Sequence, residues 1–243
     1  MTILVVGASG ATGRLLVDQL LARGESVRAV VREGSKPLPG GQGSSLSIVH
    51  ASISELDDAA MQELVRDCRA VVSCLGHALS FTGIYGPPRR LVTDATRRLC
   101  TAVEAGSSDS VVKFVLMNTS GNRNRDLDEP ISFAQKCIIG LLRILVPPHA
   151  DNEDAADFLR TQVDAGSGRI EWVAVRPDSL IDEAVVTEYE EYPSPIRSAI
   201  FDAGKTSRIN VAHFMAELVT EDGKWQRWKG QMPVLYNSIQ DAG

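Results

Sequence analysis

Seven residues near the amino terminus have the types and spacing to hold a diphosphate: Gly7-Ala8-Ser9-Gly10-Ala11-Thr12-Gly13. They stand between an unbroken aliphatic run, Ile3–Val6, and a helical pattern of Leu15, Leu16, Leu20 and Leu21. Gly7 permits the tight turn out of a strand, Gly10 lets backbone approach a pyrophosphate, and Gly13 lets the following helix pack close. The first helical amides, Ala11 among them, then face the phosphates at the positive end of the helix dipole. Ser9 and Thr12 add hydroxyls. The spacing is Gly-x-x-Gly-x-x-Gly rather than Gly-x-Gly-x-x-Gly, but the mechanics are shared. The competing explanation is a glycine-rich turn with no ligand.

A second aliphatic run, Val27–Val31, ends on Arg32-Glu33-Gly34-Ser35-Lys36. At this point a dinucleotide with free ribose hydroxyls wants a carboxylate, and one with a 2′-phosphate wants a cation. Arg32 offers a guanidinium fork for that phosphate and Lys36 a point charge. NADP(H) is therefore expected in preference to NAD(H). Glu33 competes, since its carboxylate suits the ribose, and Arg32 and Lys36 would equally serve as solvated surface charges.

Around these residues the first half of the chain alternates apolar runs with helical patterns. Leu46–Val49, Ala70–Leu75 and Val111–Met117 are rich in Val, Ile and Leu, and helical stretches fall at about Leu56–Arg66 and Arg89–Ala105. Strands buried on both faces read as runs rather than alternations. The pattern predicts a Rossmann-like, doubly wound α/β fold: a parallel sheet with helices on both faces. In the second half, Ile131–Val146 reads as an apolar helix stopped by Pro147-Pro148. Asp151–Asp164 reads as a helix with Ala155, Phe158, Leu159 and Val163 inward, and Ile170–Val175 as a sixth strand. A helix near Val211–Thr220 and a short strand near Met232–Tyr236 follow. One domain over 1–243 is expected, with the cofactor part over about 1–120 and a small substrate-side or lid region over about 121–243.

Composition narrows the function classes. The 243 residues are 44% hydrophobic, enough for a buried core, and only 5% aromatic, which makes that core aliphatic. A net charge of −6 without a basic run is a poor electrostatic match for nucleic acid or anionic lipid. Cys68, Cys74, Cys100 and Cys137 form no metal-ligand spacing with the four histidines and read as reduced thiols in a cytoplasmic protein. Asn118-Thr119-Ser120 matches a glycosylation sequon, but Met1–Gly7 does not read as a secretory leader. Cys137–Val146, interrupted by Arg143, is about half a membrane span.

Together, Gly7–Gly13, Val31-Arg32 with Lys36, Ala70–Gly76, Val111–Ser120, Trp172–Pro177 and Arg208–Phe214 resemble the atypical branch of the short-chain dehydrogenase/reductase superfamily. Within it the chain is similar to NmrA-like and biliverdin-IXβ/flavin reductase-like NAD(P)-binding proteins, over essentially its whole length. The resemblance implies that Leu75 and Gly76 lie against the adenosine and pyrophosphate. It places Thr119 and Ser120 beside the nicotinamide, with Arg176, Pro177 and Asp178 approaching the same ring. Ser52 stands where relatives often carry an aspartate near the adenine. The main branch of the superfamily moves protons with a Tyr-x-x-x-Lys pair. Here Tyr85, Tyr189, Tyr192 and Tyr236 all lack a lysine four residues on, so that acid is absent.

Without the pair, a conjugated acceptor is favoured. A flavin, quinone or enone spreads the incoming charge, whereas a simple ketone needs a positioned acid. The catalytic candidates are Ser120, as a hydrogen-bond donor to the accepting group, and Asp178, as a proton relay if burial raises its pKa. Their structural alternatives are a strand-end hydroxyl bonded to backbone and a turn residue after Pro177. Phe133, Ile138, Leu141, Leu142 and Leu145 line an apolar pocket over the nicotinamide end, or else pack on the core or a subunit contact. His77 and His149 stand as active-site or as structural histidines. The chain has no His-Glu-x-x-His motif and no Gly-x-Ser-x-Gly elbow, which disfavours metalloprotease and hydrolase readings. The expected function is an NADPH-dependent oxidoreductase acting on a small apolar conjugated substrate, as a monomer or homodimer, with no nucleic-acid or membrane partner. The alternative is a non-catalytic NADP(H)-binding redox sensor of NmrA-like type. A sugar-nucleotide epimerase would need the missing tyrosine base.

Overall fold

The computed structural model describes residues 1–38, 45–77, 80–107, 110–127, 129, 138, 140–141, 143, 145–163 and 168–238. The aliphatic runs of the first half become β1 (Thr2–Val6), β2 (Val27–Val31), β3 (Leu46–His50), β4 (Cys68–Ser73) and β5 (Val112–Met117). The second half adds β6 (Ile170–Pro177), β7 (Ser179–Ile181), β8 (Tyr189–Tyr192), β9 (Lys205–Ser207) and β10 (Val234–Asn237). Eight strands form one sheet in the order β3-β2-β1-β4-β5-β6-β10-β8, while β7 and β9 pair separately. Every pairing in the large sheet is parallel except that of β8 with β10. The strand order reverses at β1: β2 and β3 lie to one side, β4 and β5 to the other. That opens a crevice at the carboxyl ends of β1 and β4.

The helices whose bounds lie among the described residues are α1 (Ala11–Ala22), α2 (Asp58–Val65), α3 (Phe81–Tyr85), α4 (Leu91–Ala105), α5 (Pro147–Phe158), α6 (Arg208–Thr220) and α7 (Asp222–Trp228). They cover both faces of the sheet. Ile3 and Val5 point into a cluster with Leu16, Leu20, Phe214 and Leu218 of α1 and α6. Leu4 and Val6 point the other way, into a cluster with Met61, Leu64, Leu99 and Ala155 of α2, α4 and α5. Because both faces are buried, each strand carries apolar side chains at successive positions and reads as a run. This is the predicted Rossmann-like α/β architecture, completed by β6 and α6 from the second half of the chain.

Ile138, Gly140, Leu141, Arg143 and Leu145 are helical and Val146 is not, so a helix stops before Pro147 and Pro148 as expected. The same prolines also open α5, where a missing N–H is harmless in the first turn. The helix closes with a π-helical turn at Leu159–Val163. The short helix α7 was not foreseen. Its buried residues are Trp225 and Trp228, which anchor it against the α1–α6 face. Cys68, Cys74 and Cys100 are free thiols. Burial pushes Cys68 up to about 11 and Cys74 up to about 12. No described helix is long and apolar enough to cross a membrane.

Candidate cofactor-binding and active site

The glycine loop leaves β1 and enters α1 under tight steric control. Gly7 has φ 74°, and a Cβ there would meet the backbone of Cys74 at 2.7 Å. A Cβ on Gly13 would lie 2.2 Å from the Gly7 carbonyl oxygen, so any side chain would push α1 off the loop. Gly10 is less crowded, with its Cβ position 3.2 Å from that same oxygen. No side-chain cap closes the start of α1, which leaves the first-turn amides of Ala11, Thr12 and Gly13 available to an anion.

The segment after β2 is tied onto this cradle. The Ser35 hydroxyl bonds the Ser9 hydroxyl at 3.2 Å, and Arg14 donates to the Pro37 carbonyl at 3.3 Å. Arg32, Glu33 and Lys36 project from it exposed. Neither Arg32 nor Lys36 has an ion pair among the described residues. Arg14 was not singled out from sequence; a cation directly after the third glycine was the available signal. Beyond β3, the Ser52 hydroxyl bonds that of Ser54 at 2.9 Å. A cavity of about 300 Å³ opens beside them, lined by Ile53, Ser54, Leu91, Ala95 and Arg98. Beyond β4, Leu75 lies against Gly7, and the Cα of Gly76 faces open space.

The ends of β5 and β6 form the other half of the crevice. Their ladder continues past the strands: the Asn118 amide donates to the Val175 carbonyl at 2.8 Å and the Ser120 amide to that of Pro177 at 2.9 Å. Asn118, absent from the sequence-based candidates, organises this end. Its Oδ1 accepts from the Thr119 amide at 2.8 Å and also from the Asn122 side chain, and its Nδ2 donates to the Asn152 carbonyl at 2.9 Å. Thr119 and Ser120 are thereby held beside the first turns of α5. The Ser120 side chain is buried, and its hydroxyl makes no hydrogen bond among the described residues.

Arg176 and Asp178 take structural positions. The Arg176 guanidinium is fully buried, pairs with Glu129 at 2.8 Å, and donates to the carbonyls of Met232, Asn122 and Pro193. The two carboxylate oxygens of Asp178 accept from the amides of Ser179 and Gly204, both at 2.9 Å, which fastens the β7–β9 pair to the end of β6. That is the turn alternative in physical form.

A buried carboxylate unforeseen from sequence, Asp151, links the elements around the crevice. Its oxygens accept from the amides of Val92 and Thr93, at 2.8 and 2.9 Å, and so cap α4. The same carboxylate meets His77 Nε2 at 2.8 Å, while His77 Nδ1 lies 3.2 Å from the Gly83 carbonyl. His77 is thus a tie between the segment after β4 and α5. His149, in the first turn of α5, has no such partners. Of the apolar lid residues, Leu141 and Leu145 are about half exposed. Phe133 and Leu142, like most of the predicted Ile131–Val146 helix and Cys137, lie outside the described residues.

Comparison with known proteins places this geometry. A family model described as NAD(P)H-binding matches residues 7–222. An uncharacterized chloroplastic protein of Arabidopsis thaliana is 34% identical over 118 residues, which is 48% of this chain and 40% of that protein. The match therefore spans well under half of that relative's length. Among solved structures, a protein from Lactobacillus casei superposes with TM-score 0.72 at 17% identity, covering 98% of this chain and 100% of the other. A candidate NADH-flavin reductase from Streptococcus pneumoniae gives 0.66 at 18% identity, covering 98% and 99%. A candidate NAD-dependent epimerase/dehydratase from Bacillus halodurans gives 0.68 at 23% identity, covering 99% and 95%. At these identities the structural likenesses establish the shared fold.

Proposed function

Since the chain belongs to the NAD(P)H-binding family, we propose that it is an NADPH-dependent oxidoreductase that reduces a small conjugated acceptor of the flavin, quinone or enone type. The observation that carries this is the glycine cradle. Gly7 and Gly13 leave no space for a side chain, and the uncapped start of α1 presents amides at the point where the strand order reverses. When bound, the dinucleotide supplies hydride to the acceptor.

The chain's own residues bind and orient. Ser9, Gly10, Ala11 and Thr12 hold the diphosphate. Arg32 and Lys36 neutralise the 2′-phosphate, because they are exposed cations without ion-pair partners among the described residues, on a segment pinned to the cradle. The cavity lined by Ile53 and Ser54, next to Ser52, receives the adenine, and Leu75 and Gly76 lie against the adenosine and pyrophosphate. Thr119 and Pro177 support the nicotinamide. The hydroxyl of Ser120, which makes no hydrogen bond among the described residues, donates a hydrogen bond to the acceptor, a stronger position than that of Asp178, whose oxygens accept from the Ser179 and Gly204 amides.

The test is titration of NADPH and NADH by calorimetry, followed by NADPH oxidation with a flavin, a quinone and an enone. Micromolar NADPH binding and turnover with at least one acceptor is the expected result, and flavin is the first to try given the Streptococcus pneumoniae neighbour. Tight binding with no oxidation by any of the three would overturn the enzymatic reading in favour of a cofactor-sensing one.

A further inference from the structure

Three charged side chains line the cavity next to Ser52, and two of them are already engaged. All three stand on α4: Asp94, Arg97 and Arg98. Arg98 donates to the carbonyls of Ile53 and Leu56, the first at 2.7 Å, and so holds the segment after β3 against α4. The Arg97 guanidinium lies over the Phe158 ring, 5.4 Å from its centroid. Asp94 is different. It is exposed, and its carboxylate makes no hydrogen bond and no ion pair among the described residues.

Capping does not account for this carboxylate. Asp94 lies in the first turn of α4, but the Val92 and Thr93 amides of that turn are already capped by Asp151. What remains is an uncommitted acceptor beside apolar walls. Ile53, Leu91 and Ala95 line the same cavity, and Ile53 and Ala95 are buried. Its volume of about 300 Å³ suits a small planar ring rather than a whole dinucleotide. Such a ring covers the apolar walls with its faces and satisfies Asp94 only if it turns an N–H toward it, because a carboxylate accepts and does not donate. Adenine has both properties: apolar faces and the N6 amine as a donor on one edge. A purine with oxygen at C6 brings an acceptor to the same place, and two facing acceptors repel.

We infer that Asp94 reads the base of the dinucleotide: it accepts a hydrogen bond from the 6-amino group of adenine and rejects a purine that carries oxygen at C6. This rests on the cofactor reading proposed above, and it is independent of whether hydride is transferred. The bond is charge-assisted, which makes it stronger than one between neutral groups. Discrimination comes chiefly from the wrong base, which leaves the carboxylate facing a carbonyl oxygen with its water displaced. The segment after β3 lines the cavity with Ile53 and Ser54 and brings no carboxylate to its wall, so the acidic partner for the amine comes from α4.

The experiment compares NADPH with its deamino analogue, in which hypoxanthine replaces adenine. Both are titrated by calorimetry into the wild type, Asp94→Asn and Asp94→Ala. The wild type is expected to bind NADPH about tenfold more tightly than the analogue, near the low end for a hydrogen bond to a charged group because Asp94 is exposed. Both variants are expected to bring the ratio of the two affinities to within about twofold of one, since alanine makes neither contact and the asparagine amide both accepts and donates. The ratio is the readout because loss of a negative charge favours either anionic dinucleotide equally. A purely structural role for Asp94 would change both affinities together and leave the ratio as it was. The inference is overturned if the wild type binds the two dinucleotides equally, or if either variant keeps the wild-type ratio. If the wild type binds NADPH without discriminating, the base assignment alone has failed. If it binds neither dinucleotide, the cofactor reading has failed and the role of Asp94 falls with it.

Discussion

On the proposed reading, Arg32 and the three cradle glycines would make two separable contributions to cofactor binding. Arg32 has no ion-pair partner among the described residues, so Arg32→Ala is expected to remove a ligand contact without breaking an ion pair among them. It should weaken NADPH by about 1.5–3 kcal/mol, the worth of a charge-assisted hydrogen bond, and leave NADH nearly unchanged. Paired calorimetric titrations read this directly, and an equal loss for both dinucleotides would place the 2′-phosphate elsewhere. The glycines act through sterics. Gly13→Ala drives a methyl group to 2.2 Å from the Gly7 oxygen and should lower the melting temperature as well as binding. Gly10→Ala faces 3.2 Å at the same oxygen, a contact that a shift of a few tenths of an ångström relieves. It should keep most of the stability and lose affinity, because the methyl group occupies the approach of the pyrophosphate. Thermal melts of the two apo variants separate these outcomes.

At the scale of elements, helix starts reveal how much of this protein was legible in its sequence. Strands β1 to β6 and helices α1 and α4 were readable because both sheet faces are covered, so their apolar spacing survives into the one-dimensional string. Helix α7 was not. Seven residues with two buried tryptophans make no periodic pattern, and Asp222, Gly223 and Lys224 read as loop. The glycine turn was legible because its steric demands are local to a few residues. The roles of Asp151, Asn118 and Arg176 were hidden, because a carboxylate that caps a distant helix has the same letter as one in water. These hidden contacts differ in weight. Ser207 caps α6 through the Asn210 amide at 3.3 Å, and Ser207→Ala should cost about 1 kcal/mol. Asp151→Ala strands two α4 amides and His77 inside the protein and should cost about 3 kcal/mol or more. Urea denaturation of both variants checks the order, and a cheaper loss at Asp151 would mean that water fills its place.

Across the whole molecule, the titrating groups that burial has shifted set opposite edges to the pH range of stability. His149 and His213 are both held below the ordinary value of 6.5, burial being the larger cause in each. Near His213 stand Tyr189, whose hydroxyl is 2.9 Å from Nδ1, and Glu217 at 3.7 Å, with Lys224 paired to the same carboxylate at 3.3 Å. Because protonation is easier in the unfolded chain, stability is full above 6.5 and is lost as the pH falls through the lower folded values. Glu171, lowered by Lys229 and Trp225 against its own desolvation, adds a further loss only below its ordinary 4.5. On the alkaline side, burial holds the Cys68 and Cys74 thiols protonated, and burial with donation to Glu217 does the same for the Tyr189 phenol, so the thiol contributions are kept up to their ordinary 9.0 and that of the phenol up to 10.0, and each is lost above it. Denaturant unfolding of the apo protein from pH 8 down to pH 5 should show stability declining between 6.5 and 5, before carboxylates titrate. Replacing both histidines, His149→Asn with His213→Asn, should flatten that segment and leave the losses below 4.5 and above 9.0 in place. A decline of unchanged slope in the double variant would move the acid edge to groups other than these two rings.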